Sequence, residues 1–374
     1  MEDMNIAIAA LRKEQGVTQA DLADYLGITY QSVSKWENGV TLPDVTLLPK
    51  IASYFGVSIN EVLGVPLPAS QDYQPRPEAT GQFWAKNAAY LNRTRQAMWN
   101  DDYLAFLVEK VWQIHEAIDI VDFGCGIGFL GRKLLPLLPK GSTYTGVYTG
   151  ADLVKEAEGW FNDHGYEATF MTSSDTVLDG SKPFDLAICQ AFLRHVRRPQ
   201  SHVKDMIKVL KPGGLLVGIE VNRAFEVAGL YMDGQAYAPW EEMNLISKLW
   251  TKELFMEERD HAIGIRLPVL MDQVGLEGID VRINDRVGLF HNQVTEDLET
   301  LAQLKGWRTD PISSREKRDQ LNFLVSRGMA IEEASAFVEL RKGQGDHWQE
   351  TGKSRLAVHC LGLVISSGRK PLSD

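Results

Sequence analysis

The chain has 374 residues, 44% of them hydrophobic and 24% charged, the composition of a globular protein large enough for two domains. A net charge of -11 excludes a generally polyanion-binding surface and leaves room only for a local basic patch. No run approaches the roughly 18 apolar residues that span a bilayer, and MEDMNIAIAALRKEQG carries acids where a secretory signal carries bases, so the expected compartment is the cytoplasm, with no membrane partner.

Residues 1–64 carry five short amphipathic patterns, at roughly 4–15, 18–26, 29–38, 43–55 and 58–63. Thr18 and Thr29 stand at N-cap positions, and Gly16, Gly27, Gly39 and Gly56 stand where a helix stops. The stretch VPLPASQDYQPRPEATG, residues 65–81, is rich in proline and small polar residues and reads as a linker. Over residues 82–374, apolar runs alternate with helical patterns of about 10 to 15 residues: IDIVDFG, STYTGVY, EATFM, FDLAICQ and GLLVGIEV. That alternation predicts βαβ units and a mostly parallel sheet. Two later strand-like runs, GIDVRIN and RLAVHCLGLVISS, flank a largely helical insert at about 294–343. The cysteines Cys125, Cys189 and Cys360 lie far apart with no CxxC pair, so they read as reduced structural thiols and imply no metal site.

In TQADLADYLGITYQSVSKWENG, the positions of Leu22, Ala23, Leu26, Ile28, Val33 and Trp36 pack two helices together, and Gly27 makes the turn. The segment resembles the Cro and lambda-repressor (XRE) type of helix-turn-helix, and the resemblance runs through all 64 residues. It implies operator DNA as a partner, with Tyr30, Gln31, Ser34, Lys35 and Asn38 facing the major groove, Gln19 on a phosphate, and a homodimer as the reading unit. Against this stands the charge of residues 1–64. Four cations, Arg12, Lys13, Lys35 and Lys50, face eight acids, which leaves -4 and few phosphate contacts. Protein docking or dimerisation is the other role open to this unit.

VDFGCGIGFLG ends a buried strand and opens a helix, which aims backbone N–H groups and a helix N-terminus at a ligand. Gly126, Gly128 and Gly131 spell the dinucleotide pattern G-x-G-x-x-G; Asp122, Gly124, Gly126 and Gly128 spell D-x-G-x-G-x-G. The acid separates the two. It attracts the cationic sulfonium and ammonium of S-adenosylmethionine and repels a pyrophosphate. The second pattern resembles motif I of class I S-adenosylmethionine-dependent methyltransferases. Downstream, FDLAICQAFLRHVRRPQSHVKDMIKVLKPGGLLVGIEVNR resembles the same family's block from fourth to fifth strand, with Lys211-Pro212-Gly213-Gly214 as the turn.

The resemblance covers about residues 84–374 and implies a Rossmann-like α/β fold with a mostly parallel seven-stranded sheet and helical inserts. It implies cofactor contacts from Asp122, Gly124, Cys125, Gly126, Gly128, Tyr148, Thr149, Ser174, Asp175 and Gln190. One position departs from the pattern. Where the family ends its second strand with a ribose-binding acid, this sequence has Tyr148, with Asp152 close by at the helix start. An NAD-dependent enzyme would need an acid or arginine there and finds neither.

Methyl transfer needs a general base only when the acceptor is protonated. Candidates are His195 after the fourth strand, Glu220 near the end of the fifth, and Asp260 with His261 in ERDHAIGIRLP; Asp260 is equally suited to capping a helix. Tyr231, Met232, Tyr237, Trp240 and Trp250 are suited to walling an apolar acceptor pocket or to packing the insert. The sequence lacks the N/D-P-P-Y and Pro-Cys motifs of base-modifying DNA methyltransferases. The expected activity is therefore methylation of a small metabolite at O or N. The alternative is a transcriptional regulator that senses S-adenosylmethionine or a metabolite without turnover.

Overall fold

The computed structural model describes residues 7–55, 57, 59–64, 73, 75–76, 86–148, 151–172, 182–237, 239–307 and 313–372. The chain divides into two compact units, Met1–Ser70 and Gln71–Asp374.

The first unit consists of α1 (Ile8–Glu14), α2 (Gln19–Leu26), α3 (Tyr30–Glu37), α4 (Leu48–Phe55) and α5 (Ile59–Val62). Thr18 starts α2 with a full capping box, its hydroxyl on Asp21 N–H and the Asp21 carboxylate back on Thr18 N–H. Gly27 closes α2 in the left-handed region at φ 69°, which makes the tight turn into α3. Thr29 has N-cap backbone angles, but its hydroxyl meets Ser32 Oγ at 3.1 Å and does not cap the helix. Ile8, Leu22, Val33 and Ile51 are fully buried in one core with Trp36 and Phe55. Each such side chain contributes about 1.5–3 kcal/mol.

The second unit opens with covering helices α6 (Ala88–Gln96) and α7 (Asp101–Phe106), the latter running on into a π turn at Leu107–Val111. Then come β1 (Asp119–Phe123), α8 (Phe129–Leu134), β2 (Thr143–Val147), α9 (Ala151–Asp163), β3 (Ala168–Met171), β4 (Phe184–Gln190), α10 (Pro199–Lys208) and β5 (Leu210–Val221). After β5 follow α11 (Arg223–Ala228), β6 (Leu230–Met232), α12 (Pro239–Phe255), α13 (Ile263–Gln273), β7 (Glu277–Ile283) and β8 (Val287–His291). The chain finishes with α14 (Thr295–Lys305), α15 (Ser314–Val325), α16 (Ile331–Gln349), β9 (Leu356–Cys360) and β10 (Leu363–Arg369).

Seven strands form one sheet in the order β3-β2-β1-β4-β5-β10-β7, parallel except for β10, which runs antiparallel to both its neighbours. The order reverses between β1 and β4, and ligands bind at the carboxyl ends of such a switch point. β1 is buried on both faces, with Ile120 in one core and Val121 and Phe123 in the other, hence its continuous apolar run.

The LKPGG stretch lies at the start of β5, where the β4–β5 register jumps from Phe184↔Leu210 to Leu186↔Leu215, and Gly213 N–H bonds Lys370 O at 2.9 Å. The run RLAVHCLGLVISS, expected as one strand, is two. Gly362 at φ 62° breaks it, so β9 joins a separate antiparallel sheet β6-β9-β8 while β10 enters the main one. The helical insert comprises α14, α15 and α16 and extends to Gln349.

Candidate functional site

The glycine loop is tied to the end of β2: Gly124 N–H and Cys125 N–H both bond Val147 O, at 2.9 and 3.2 Å. Gly126 sits at φ 55°, and a Cβ built on it would point into open space. Gly128 caps α8 at φ 70°, and a Cβ there would lie 2.8 Å from the Phe161 ring. The two glycines therefore serve different ends. Gly126 leaves a cradle free, while Gly128 lets α9 pack against the loop.

That cradle opens on a cavity of about 350 Å³ at the carboxyl ends of β1, β2 and β4. Its wall includes Gly124, Cys125, Gly126, Ile127, Tyr148, Phe192, His195 and Asp205, with Leu91 and Arg95 facing it from α6. Tyr148 is half-buried, and burial pushes its phenol up to about 12, so it stays a neutral hydroxyl able to donate or accept one hydrogen bond. His195 is exposed at the end of a short turn, its Nε2 3.1 Å from Arg194 Nη2. The surrounding protein, together with Arg194, Arg259 and Arg95, holds its imidazole well below the ordinary 6.5 and neutral near pH 7.

Arg95 was not foreseen. Its guanidinium touches Met98 Sδ at 3.8 Å and makes no ion pair with a described residue. The signal was its i+4 spacing from Leu91 in AAYLNRTRQAMWN, which sets both on one face of the covering helix. His202 and Asp205 of α10 also line the cavity and were missed, because helix spacing does not reveal which face looks past the sheet edge.

Several expected site residues have other surroundings. Asp122 is 2% exposed, lies off the cavity wall, and accepts a 2.6 Å hydrogen bond from the Tyr144 hydroxyl. Burial raises its carboxyl to about 7, against the pull of Tyr144 and Arg95. Gln190 is buried with its amide 3.4 Å from Met98 Sδ and also lies off the wall. Glu220 is fully buried, and its Oε1 accepts from Phe192 N–H at 2.9 Å and Leu193 N–H at 2.8 Å. It fixes the turn after β4 and does not reach into the cavity. His261 bonds Glu253 Oε2 at 2.6 Å and stacks on Trp250 beside a separate hollow of about 180 Å³, so it too is away from this cavity. Asp260 holds Ala262 N–H at 3.0 Å and Arg266 at 2.7 Å, a turn-fixing role. Thr149, Ser174 and Asp175 lie outside the described residues, as do the side chains of Asp152 and Trp240.

In the first unit, Tyr30, Gln31 and Lys35 are exposed on α3. Gln19 is not free for a phosphate, because its amide donates to Glu37 Oε2 at 2.7 Å, beside the Arg12–Glu37 pair at 2.7 Å. Asn38 turns its amide back on Ser34 O at 2.8 Å and Ser34 Oγ at 3.4 Å, so those donors are used within the helix.

Comparison with known proteins bears on both units. A helix-turn-helix family model matches residues 8–62, and a methyltransferase domain model matches residues 121–216, from β1 into β5. This chain joins a helix-turn-helix domain to a methyltransferase domain. The methyltransferase domain is similar to the ubiquinone biosynthesis O-methyltransferase of Rickettsia conorii, 26% identical over 115 residues, covering 31% of this chain and 39% of that protein. The protein of the same name from Methylococcus capsulatus is 29% identical over 184 residues, covering 48% of this chain and 71% of the relative. The first three curated relatives are matched over 39%, 48% and 51% of their own lengths, so the chain spans about half of each. Among solved structures, a methyltransferase described as putative, from Bacillus halodurans, aligns over 71% of this chain and 98% of its own, at 12% identity and a TM-score of 0.41. Among the described residues, no helix is long and apolar enough to cross a membrane.

Proposed function

We propose that the methyltransferase domain transfers a methyl group from S-adenosylmethionine to a small metabolite, at O or N, and that the helix-turn-helix domain ties the protein to operator DNA. The observation that carries the first part is the Gly126 cradle, which shares one cavity wall with Tyr148 and Arg95 at the switch point of the sheet. The residues present fit the cofactor. Arg95, with no ion-pair partner among the described residues, faces its carboxylate; Tyr148 meets the ribose; the loop supplies N–H groups; and Leu91, Ile127, Phe192 and Val196 give an apolar lining. Cys125, Gly124 and Gly128 shape the loop, and Thr149, Ser174 and Asp175 follow the β2 and β3 ends by sequence position. The 350 Å³ cavity falls in the range of small-molecule sites.

When bound, the cofactor supplies an electrophilic methyl carbon on sulfonium. The protein's part is to hold the acceptor in line and to exclude water. His195, neutral and on the wall, is placed to take the proton of an acceptor hydroxyl as the new bond to carbon forms and the carbon–sulfur bond breaks. Glu220 supports this indirectly by fixing the Phe192–Leu193 turn. For the first unit, exposed Gln31 and Lys35 on α3 favour DNA contact, with two copies meeting paired half-sites.

Calorimetry on the full chain tests the cofactor. S-adenosylmethionine and S-adenosylhomocysteine bind and NAD does not. Binding of NAD alone would overturn the methyltransferase reading.

A further inference from the structure

The cofactor reading leaves unused a group of polar side chains buried just past the carboxyl end of β5. Glu226 of α11, Lys305 at the end of α14 and His359 of β9 are 1%, 2% and 2% exposed. Lys305 Nζ lies 3.7 Å from Glu226 Oε1, and Arg223 pairs with the other carboxylate oxygen. Beside them, Arg341 Nη1 donates to Glu242 Oε1 at 3.1 Å, and its second nitrogen bonds the Lys305 carbonyl. β9 delivers the histidine because it is the middle strand of the small sheet and turns Ala357 and His359 to its buried side.

These groups only partly satisfy one another. Arg223 takes up Glu226 Oε2 and Lys305 stands 3.7 Å from Oε1, but both ring nitrogens of His359 and the Asn222 Nδ2 at the head of α11 have no hydrogen-bond partner among the described residues. More than about 90% of buried polar groups are paired, and one left unpaired in the interior is destabilising. Three orphaned nitrogens, two of them on one buried imidazole, leave room for a ligand's hydrogen bonds. The basic groups point to what is missing. Arg223, Lys305 and Arg341 face only Glu226 and Glu242, and burial lowers Lys305 to about 7, so an anion beside it would hold its ammonium charged. A buried cation without a counter-charge is stabilised by an anion. Arg194, whose buried Nε is also unpartnered, adds positive charge on the neighbouring turn after β4.

The geometry points to Glu226, Lys305 and His359 as the recognition site for the methyl acceptor, and to an acceptor that carries an oxyanion, carboxylate or phosphate, against Lys305 and Arg223. This rests on the methyltransferase reading. Arg223 follows β5 as the cavity-lining turn Ala191–His195 follows β4, so the two groups lie past the same edge of the sheet. Neutral His359 and anionic Glu226 then read the acceptor's hydroxyl or amine protons.

The test is a thermal-shift titration of the full chain saturated with S-adenosylhomocysteine, using benzoate in one arm and inorganic phosphate in the other, at matched ionic strength. One of the two raises Tm by about 2 °C or more, and the effective arm identifies the oxyanion. Lys305→Met abolishes that rise while S-adenosylhomocysteine still binds; His359→Gln, which keeps every charge, weakens the anion at least about threefold. If Lys305→Met does not fold, the His359→Gln titration decides alone. No rise with either anion, or a rise unchanged in the variants, overturns the assignment. Failure of S-adenosylhomocysteine itself to bind marks failure of the methyltransferase reading instead.

Discussion

Glu253 Oε1 accepts a 2.8 Å hydrogen bond from Arg327 Nε, and neither side chain is exposed to solvent. Arg76 joins the same oxygen at 2.7 Å, His261 holds the other at 2.6 Å, and the Arg327 guanidinium stacks 3.5 Å over Phe323. A buried cluster of this kind tolerates its own charges but not the loss of one partner. Glu253→Gln, which keeps the shape and removes the charge, is expected to cost about 3–5 kcal/mol in urea denaturation. Arg327 also pairs with Glu258 at 3.0 Å, so the double variant Glu253→Gln with Arg327→Met is expected to recover little of that loss. A cost below about 1 kcal/mol for the single variant would show that the cluster contributes little.

The same cluster sets an acid limit. Burial lowers His261 to about 4 from 6.5, despite the Glu253 hydrogen bond. Between those values the unfolded chain takes up a proton that the folded chain refuses, so stability is complete above pH 6.5 and falls as the pH drops towards 4. Burial alone would raise Glu253, but His261, Arg76 and Arg327 hold it at about 2 against 4.5, which extends the loss downward with the same sign. Chemical denaturation at pH 7 and pH 4.5 is expected to differ by a few kcal/mol in the native sequence and by clearly less in His261→Gln. Equal differences in both would remove His261 from the account.

The legible part of the protein was the part in which periodicity equals burial. β1, β2 and β4 are apolar because both sheet faces are covered, and their runs announced them. The small sheet was hidden, since β6 has three residues and β8 alternates exposed and buried positions like a surface segment. Side-chain direction was hidden as well. That Asp122 meets Tyr144, and Glu220 the amides of Phe192 and Leu193, depends on register between strands that a single segment does not encode. Arg95 was missed because its spacing from Leu91 sets both on one helix face without saying what that face covers.

Gly126→Val fills the open cradle and places a β-branched residue at φ 55°, a strained conformation for it. S-adenosylhomocysteine affinity is expected to fall by about 100-fold, roughly 2.7 kcal/mol. Helicity of the first unit should be unchanged, because the loop belongs to the other compact unit. Unaltered affinity in calorimetry would place the cofactor elsewhere.

Glu220 offers a comparison of two variants. Glu220→Gln keeps an oxygen for the Phe192 and Leu193 amides, whereas Glu220→Leu leaves two N–H groups without their acceptor. The leucine variant is expected to lose about 2–6 kcal/mol of stability and to bind cofactor less tightly, since Phe192 forms part of the cavity wall. The glutamine variant should stay within about 1 kcal/mol of the parent and keep its turnover. Loss of turnover in the glutamine variant with cofactor affinity intact would instead assign the carboxylate a direct chemical role.

Of the four cations in residues 1–64, Arg12 is held by Glu37, so Lys13, Lys35 and Lys50 remain for phosphates, and Lys35 is the one on α3. Three contacts give a shallow dependence on salt, a slope of about -3 in log K against log salt for each copy. Gel shifts against the promoter of the protein's own operon should therefore require low ionic strength. Lys35→Ala is expected to weaken all sequences alike and to reduce the slope by about 1; Gln31→Ala, on the same exposed helix, should relax preference at a base position while leaving the slope unchanged. Gln19→Ala separates a phosphate contact from the Glu37 hydrogen bond seen here. Weaker DNA binding at constant stability favours the phosphate, and lower stability at constant affinity favours a purely internal role.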